Sequence, residues 1–350
     1  MKKYYTRACN FAYGKSSIKL VKKKINLPLN AIKELSFSQI EIITRDSKKI
    51  IDLKDIKKLT KSLRKKINQD LKVITKKNKN FSNLNFNKIP NIMGILNLTP
   101  DSFSDGGKFN KKKTGISHAK NLFKYGADIV DVGGESTRPG SKPVSKKEEW
   151  NRIKEIIQSI DKKIPLSLDT RKSGIMNKGI QMGVKLINDV SGLSYDSKTV
   201  DVLQKSKTPF VIQHSQGTPE KMQKSPIYKN ELLDIYDFFE RKLKFLISKG
   251  IKHNSIMIDP GIGFGKNLKH NMNLIRSISI FHTLGFPILL GLSRKRFIKD
   301  LSGKNDSKER LGGTVASSLY AIMQGVQVLR IHDVNELTQS IKVFKELIKN

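Results

Sequence analysis

The residues best suited to chemistry follow an apolar run at 92–98, in which Asn97 is the single polar side chain. The polar segment after it contains Pro100, Asp101 and Asp105. An apolar run that gives way to polar, Gly- and Pro-bearing residues indicates a buried strand ending in a loop. Amide and carboxylate oxygens, joined by substrate phosphate and water, suit Mg²⁺. We therefore predict a magnesium site at Asn97, with Asp101 and Asp105 adding oxygen ligands.

A second pair of residues, Arg330 and His332, stands two positions apart on an apolar segment. Alternate residues of a strand lie on the same face, so both side chains can reach one anion. Together with Asn97, they predict a phosphate or pyrophosphate site. The sequence shows no His/Cys cluster with the spacing of a zinc site.

Four further polar residues end other apolar segments: Asp169, Asn188, Asp259 and Lys295. Buried carboxylates need partners to remain ionised. A carboxylate accepts two N–H bonds from a ring nitrogen and its neighbouring amino group, and an asparagine supplies a donor and an acceptor. The set predicts a pocket for a flat heterocycle, and pterins and guanines both offer a suitable edge.

A last group lies further out, on loops: Thr137, Arg138, Pro139, Ser293 and Arg296. Loops of this kind close over a second substrate and exclude water from a reactive intermediate.

The elements that must position these residues alternate without interruption from residue 91. We predict strands at 91–98, 128–134, 165–170, 184–190, 209–214, 256–260, 287–292 and 327–332. We predict helices at 115–125, 146–161, 173–182, 198–206, 232–249, 270–284, 309–324 and 334–348. Eight strand–helix pairs, with polar residues at the strand ends, are typical of an α/β protein of the (β/α)8 TIM-barrel type. A doubly wound open sheet is the alternative, but no Gly-x-Gly-x-x-Gly opens a helix after a strand.

The first 88 residues form a basic N-terminal extension, with 24 Lys plus Arg against 6 Asp plus Glu. A short strand at 40–44 and helical spacing at 53–74 predict a small α/β unit, followed by a Lys- and Asn-rich linker at 76–88. We therefore divide the chain into this extension, 1–88, and a barrel domain, 89–350.

Composition limits the partners. The net charge of +36 attracts polyanions, but only 12 of the 67 basic residues are arginine. Arginine is the residue that a dedicated phosphate-reading face uses, so we expect small-molecule substrates and no specific nucleic-acid partner. One cysteine, no apolar span and no secretory leader predict a cytoplasmic protein without a membrane partner. The sequence leaves the oligomeric state open, with a homodimer among the alternatives.

Two long segments carry a resemblance to a known family. Residues 94–107 (GILNLTPDSFSDGG) and 131–140 (DVGGESTRPG) resemble the two signatures of dihydropteroate synthase. Shorter matches follow in order: Asp169-Thr170, Ile187-Asn188-Asp189, Asp259-Pro260-Gly261, Ser293-Arg294-Lys295 and Arg330-Ile331-His332-Asp333. The resemblance covers about residues 90–348.

The resemblance implies a transferase of folate biosynthesis that joins 6-hydroxymethyl-7,8-dihydropterin pyrophosphate to p-aminobenzoate, with Mg²⁺ as cofactor. It implies that Asp169, Asn188, Asp259 and Lys295 bind the pterin, and that Asn97, Arg330 and His332 hold the pyrophosphate and its metal. Thr137, Arg138, Pro139 and Ser293 would form the p-aminobenzoate site. The residues closest to the reaction would be Asn97, Arg330, His332 and Lys295.

Three positions depart from the family pattern: Ser215 and Ile262, where many members have Met and an aromatic residue, and Arg296, where many have Ser. We hypothesise that Arg296 forms an ion pair with the p-aminobenzoate carboxylate. The alternatives are a methyltetrahydrofolate-binding methyltransferase, which has no use for a pyrophosphate-gripping first loop, and a pterin-binding or basic scaffold protein without activity.

Overall fold

Residues 3–75 form an antiparallel sheet with two α-helices. The computed structural model describes residues 3–99, 112–136, 140–217 and 226–349. In chain order the elements of this unit are β1 (Tyr5–Tyr13), α1 (Gly14–Lys22), β2 (Leu27–Leu29), β3 (Ile32–Ile43), β4 (Lys48–Asp52) and α2 (Lys61–Ile74). The long strand β3 pairs with the other three strands. The strand predicted at 40–44 is therefore the end of a longer one.

The unit has its own core and also packs on the rest of the chain. The Tyr5 ring meets the edge of the Tyr236 ring, with centroids 5.2 Å apart, and the Tyr5 hydroxyl donates to Asp237 at 2.9 Å. Asn30 lies 3.3 Å from the ring nitrogen Nδ1 of His282, and both side chains are buried. Through these contacts the N-terminal unit packs against the outside of the barrel.

The remaining elements alternate strand and helix. The strands are β5 (Asn91–Asn97), β6 (Ile129–Gly133), β7 (Leu166–Asp169), β8 (Leu186–Asp189), β9 (Phe210–Gln213), β10 (Ile256–Asp259), β11 (Leu289–Leu290) and β12 (Val328–Ile331). The helices are α3 (Lys112–Lys124), α4 (Lys146–Ser159), α5 (Ser173–Gln181), α6 (Thr199–Ser206), α7 (Glu231–Ser248), α8 (Leu268–Arg276), α9 (Arg296–Ser302), α10 (Leu311–Met323) and α11 (Val334–Leu347).

The eight strands form one parallel sheet in the order β10-β9-β8-β7-β6-β5-β12-β11. A parallel bridge between Ile258 and Ile288 joins the two ends, with the Ile258 amide donating to the Pro287 carbonyl at 3.0 Å. The sheet is thus closed, and the predicted (β/α)8 barrel is confirmed. Strands buried on both faces are continuous apolar runs, which is why the sequence marked them clearly.

Helix starts follow local capping. The Ser145 hydroxyl accepts from the Glu148 amide at the start of α4, and the Asn230 side chain accepts from the Leu233 amide at the start of α7. The helix predicted at 270–284 is instead α8 followed by a 3₁₀ segment, Ile278–Leu284. The short helix α9 was not predicted. Within the described ranges, no helix is both long and apolar enough to cross a membrane.

The segment predicted as a linker, 76–88, lies under the barrel. Leu84 and Phe86 are each 1% exposed, and the Phe81 ring packs against the Phe86 ring. Their apolar neighbours come from the amino ends of the barrel strands: Met93, Ile129, Leu186, Val211, Met257, Leu289 and Val328. We call Phe81, Leu84 and Phe86 the barrel plug. The plug covers the amino ends of the strands, which is the end of the barrel opposite the site. Packing there removes the apolar surface of Leu84 and Phe86 from water.

Candidate active site

Asp131 is the centre of a hydrogen-bond network inside the barrel. It is fully buried and accepts from Arg330 Nε at 2.7 Å, from Asn188 Nδ2 at 3.0 Å and from the Ser167 hydroxyl at 2.5 Å. Sequence reasoning did not select it as a site residue. The available signal was a charged side chain inside the apolar strand β6, where a lone carboxylate is costly unless it is paired.

Arg330 on β12 bridges two carboxylates across the barrel. Its Nε bonds to Asp131 and its Nη2 bonds to Asp169 Oδ2, each at 2.7 Å. The third guanidinium nitrogen, Nη1, makes no hydrogen bond to any residue in the described ranges. The planar fork holds two acidic groups that would otherwise repel each other, which one lysine ammonium cannot do with the same geometry.

Two acceptor atoms remain open on this floor. Asp169 Oδ1 and Asn188 Oδ1 are buried, and neither has a hydrogen-bond partner among the described residues. Burial raises the pKa of Asp169 to about 7, although Arg330 opposes the rise. The Asn188 amide nitrogen donates to Asp131, which leaves the amide oxygen of Asn188 as the atom available to a ligand. The floor therefore offers two buried acceptors to the N–H groups of a ligand.

Asp259 supplies a third carboxylate on the neighbouring side. Its Oδ1 accepts from the Gly261 amide at 2.7 Å, and burial raises its pKa. Lys295 is the nearby cation: its Nζ lies 4.2 Å from the centroid of the Phe264 ring, and its charge favours the ionised form of Asp259. Asp169, Asn188, Asp259 and Lys295 are thus brought into one region, as the sequence predicts.

Lys266 and His214 form a buried pair beside Asp259. The Lys266 Nζ lies 3.1 Å from His214 Nδ1, 3.3 Å from the His214 carbonyl and 2.8 Å from the Phe264 carbonyl. Burial lowers the pKa of Lys266 to about 7 and that of His214 well below its usual value. Three acceptors match the three N–H donors of an ammonium group, so Lys266 ties the loops after β9 and β10 together.

Asn97, Ser293 and His332 lie at the rim. A Cβ atom at Gly133 would be 3.5 Å from the Asn97 amide oxygen and 3.6 Å from Asp169 Oδ2, so this glycine leaves the space between them open. The Ser293 hydroxyl oxygen is 3.0 Å from His332 Nδ1 and accepts from the His332 amide at 3.2 Å. The three predicted anion residues, Asn97, Arg330 and His332, all line one cavity.

A second buried ionic cluster lies behind the loop after β6. Glu135 pairs with Arg171 at 2.8 Å and with Lys172 at 2.9 Å, and Lys172 also reaches Glu149 at 2.5 Å. The Thr170 hydroxyl donates to Glu149 at 2.5 Å. Burial opposes the ionisation of Glu135, but the two cations outweigh it and lower its pKa. Two carboxylates and two cations balance, which is the condition for burying charge.

This cluster holds the base of the second loop. Glu135 accepts from the Val144 amide at 3.1 Å, and the Ser141 hydroxyl donates to the Ser136 carbonyl at 2.6 Å. The predicted site residues Thr137, Arg138 and Pro139 lie outside the described residues, as do Asp101 and Asp105 of the first loop.

A cavity of about 610 Å³ opens at this end of the barrel, and Asn97, Ser293 and His332 of the rim line it. Asp169, Lys295 and Arg330 also line it, and Asp169 is buried. Arg296 lines it further out, with 74% of its side chain exposed and Asp300 at 3.6 Å. A cavity of this size accommodates a small-molecule ligand of two joined rings.

A magnesium ion fits the donor chemistry in part. Asn97 contributes an amide oxygen beside the anion residues, and Mg²⁺ commonly combines one or two protein oxygens with substrate phosphate and water. Among the described residues, no group of three or more His, Cys, Asp or Glu side chains is arranged to bind a metal.

Comparison with known proteins agrees with this geometry. Residues 93–332 match the family model described as pterin binding enzyme, and the N-terminal unit lies outside that match. The chain is 40% identical to the dihydropteroate synthase of Synechocystis over 254 residues, which are 72% of this chain and 88% of that protein.

Two solved structures share the fold. The Yersinia pestis dihydropteroate synthase, solved with a sulfonamide drug complex, superposes with a TM-score of 0.73 at 37% identity, over 76% of this chain and 97% of that one. The Xanthomonas albilineans dihydropteroate synthase, solved with 4-aminobenzoic acid, gives a TM-score of 0.68 at 35% identity, over 74% and 93%. The chain therefore belongs to the dihydropteroate synthases, the transferases of folate biosynthesis among the pterin-binding enzymes.

Proposed function

We propose that the barrel floor binds the dihydropterin ring of the first substrate. The observation that carries this assignment is the pair of open, buried acceptors, Asp169 Oδ1 and Asn188 Oδ1, beside the Asp259 carboxylate. A pterin edge carries ring N–H and amino donors that satisfy such acceptors. A buried acceptor without a hydrogen bond is costly. Hydrogen bonds from the pterin edge to these acceptors would therefore supply a large share of the free energy of pterin binding.

Lys295 and Phe264 would complete the pterin site. The Lys295 ammonium lies over the Phe264 ring, 4.2 Å from its centroid, and its charge favours the ionised form of Asp259. A pterin carbonyl is an acceptor for this ammonium, so the site would pair donors with acceptors along both edges of the ring.

The pyrophosphate would lie at the rim, near Asn97, His332 and the free edge of Arg330. Two nitrogens of Arg330 hold Asp131 and Asp169, and Nη1 remains for the anion. Asn97 would hold Mg²⁺, which when bound neutralises charge on the departing pyrophosphate. Arg330 would thus have two functions, since it orders the pterin floor and contacts the leaving group.

The reaction is alkyl transfer at the methylene carbon of the pterin. The carbon–oxygen bond to pyrophosphate breaks, the amine nitrogen of p-aminobenzoate forms the new bond to carbon, and one amine proton is lost. The chain's residues hold the two substrates in line and stabilise the leaving charge, so no protein nucleophile is required.

The second substrate would lie between Ser293 and the loop after β6. We place the p-aminobenzoate carboxylate near Arg296, which lines the outer cavity and whose Nε lies 3.6 Å from the Asp300 carboxylate. A benzoate carboxylate would compete well with such a long, exposed contact.

Assaying dihydropteroate formation tests the function. Purified protein with the pterin pyrophosphate, p-aminobenzoate and Mg²⁺ should form dihydropteroate and pyrophosphate. Asp259→Asn should weaken binding of a pyrophosphate-free pterin by roughly 2–5 kcal/mol, because an amide can still accept from Gly261 but leaves a ligand donor unpaired. Asp201→Asn, at an exposed position of α6, is the control. Product formation with unaltered pterin affinity in Asp259→Asn would refute the floor assignment.

We also propose a homodimer through helix α10. The helix sequence, LGGTVASSLYAIM, contains no charged residue in a chain that is 28% charged. Gly312, Ala316 and Tyr320 share an exposed face at four-residue spacing. An uncharged exposed helix face favours burial against a partner. Light scattering after size exclusion should report a molar mass of about twice that of one chain. The Tyr320→Glu variant should have the molar mass of a single chain. A monomer at all concentrations would contradict the proposal.

A further inference from the structure

Arg294 has a backbone conformation that arginine rarely adopts. Its φ is +58°, in the left-handed region, between Ser293 and Lys295 of the site. A residue with a Cβ atom occupies this region at a cost and stays there only when its surroundings hold it. Such residues are found at functional sites more often than elsewhere, and the reaction outlined above gives Arg294 no contact with either substrate.

Three residues hold this turn: Thr314, Arg310 and Asp333. The Arg294 amide donates to the Thr314 hydroxyl at 3.0 Å, and its carbonyl accepts from Arg310 Nη1 at 2.9 Å. Its guanidinium pairs with the Asp333 carboxylate through two bonds, Nε to Oδ2 at 2.9 Å and Nη2 to Oδ1. Both side chains of the ion pair are 14% exposed. The amide, the carbonyl and the side chain of Arg294 are all engaged.

The ion pair connects two parts of the site. Asp333 directly follows His332, and Ser293 directly precedes Arg294. The Ser293 hydroxyl in turn contacts the His332 amide and Nδ1. The segments after β11 and β12 are therefore linked twice, once at the rim by Ser293 and His332 and once behind it by Arg294 and Asp333. The bidentate geometry fixes both the distance and the relative orientation of the two segments.

We propose that Arg294 is a positioning residue: through Asp333 it holds Ser293 against His332 and directs Lys295 towards the pterin floor. This inference rests on the proposed function of Ser293, His332 and Lys295. The left-handed turn sends the side chains of 293 and 295 to different partners, and the ion pair locks that arrangement to β12. Loss of the pair would leave the substrate-binding atoms present but less well placed, which lowers the rate and weakens binding of both substrates.

A double-mutant cycle with Arg294→Met and Asp333→Asn tests the inference. Each single variant should lower kcat/KM on the order of 10- to 100-fold and raise the KM for p-aminobenzoate, and the double variant should be no worse than either. The melting temperature should also fall, because the pair is largely buried; the KM for p-aminobenzoate is therefore the readout that separates positioning from stability. Arg294→Gly accepts the positive φ without strain but lacks the guanidinium, so it should resemble Arg294→Met. Arg276→Met, on exposed α8, is the matched control.

Several results would overturn the inference. If the losses in kcat/KM of the two single variants multiply in the double variant, the two residues act separately. Full activity of Arg294→Gly would mean that the backbone conformation, and not the ion pair, matters. A fall in melting temperature with unaltered KM would assign a purely structural role. If the unsubstituted protein forms no dihydropteroate, the proposed function fails instead, and the cycle is then measured on the dissociation constants of p-aminobenzoate and a pyrophosphate-free pterin.

Discussion

Arg330→Lys separates the two functions proposed for this residue. A lysine ammonium keeps the positive charge but cannot bond to Asp131 and Asp169 at once, since these carboxylates occupy two different nitrogens of the fork. Asp131 retains Ser167 and Asn188 as donors, whereas Asp169 Oδ2 loses its partner. A lysine that keeps the bond to Asp131 therefore leaves Asp169 as a buried, unpaired carboxylate.

The expected magnitude follows from that unpaired group. Breaking a buried ion pair costs about 3–5 kcal/mol when one charge is left uncompensated. Protonation of Asp169 limits the loss near neutral pH, because its pKa is already raised to about 7 with Arg330 present and would rise further without it. We expect the free energy of unfolding to fall by about 2–4 kcal/mol at pH 8, and the melting temperature by roughly 4–12 °C. The loss should be smaller at pH 6, where the protonated form takes over.

Thermal unfolding and calorimetry check this prediction. Binding of a pyrophosphate-free pterin should weaken by about tenfold or more in Arg330→Lys, because the Asp169 acceptor is no longer held in place, and kcat should fall on the order of 10²–10³-fold. Arg241→Lys, exposed on α7, should change neither quantity. If Arg330→Lys lowers kcat alone, with unaltered melting temperature and pterin affinity, then Arg330 contacts only the leaving group and the floor network has no energetic role.

The other predictions concern the plug, the outer cavity and a buried acid. Phe86→Ala should destabilise the barrel by about 3–5 kcal/mol, as a large fully buried side chain is lost, whereas exposed Phe123→Ala should cost far less by denaturant unfolding. A chain that begins at Asn87 lacks Leu84 and Phe86 and should fail to fold cooperatively, but one that begins at Lys76 keeps the plug and should unfold with a steeper transition than the shorter chain. Arg296→Ser should raise the KM for p-aminobenzoate by about 2- to 5-fold and leave inhibition by uncharged sulfanilamide unaltered; equal changes for both would refute the ion pair. Burial raises the pKa of Asp189 from 3.8 to about 6, so its charge costs stability that grows as pH rises through this interval and is absent below it. Asp189→Asn should therefore stabilise the protein by up to about 3 kcal/mol at pH 8 and by little at pH 4; a gain that does not vary with pH would contradict this explanation.

Much of the fold could be predicted because its signals are local. Buried parallel strands are short apolar runs, and amphipathic helices repeat their apolar residues every three to four positions, so each element is visible without its partners. The break of the predicted helix 270–284 into α8 and a 3₁₀ segment was not visible. In that region Ser279 donates to the Ala8 carbonyl and His282 packs beside Asn30, so residues far away in sequence determine the local conformation.

The barrel plug is a second case in which residues far away in sequence determine the structure of a segment. Leu84 and Phe86 stand among lysines and asparagines, and the composition of that segment predicts a linker. Only the closed barrel provides an apolar surface for them, and that surface is assembled from the amino ends of strands spread over more than two hundred residues. A composition average cannot reveal it, because the burial of two side chains depends on what lies across from them.

In the site, the sequence by itself determined which residues gather at the carboxyl ends of the strands, since barrel geometry brings all such ends to one face. It also determined that Asp169, Asn188, Asp259 and Lys295 would lie together, and this is what the structure shows. Tertiary structure alone decided the pairing: that Asp131 joins Arg330 to Asn188, that Arg330 spans two carboxylates, and that Arg294 pairs with Asp333. A hydrogen bond depends on distance and direction between atoms on different strands, and neither quantity is encoded in the spacing of residues along one strand.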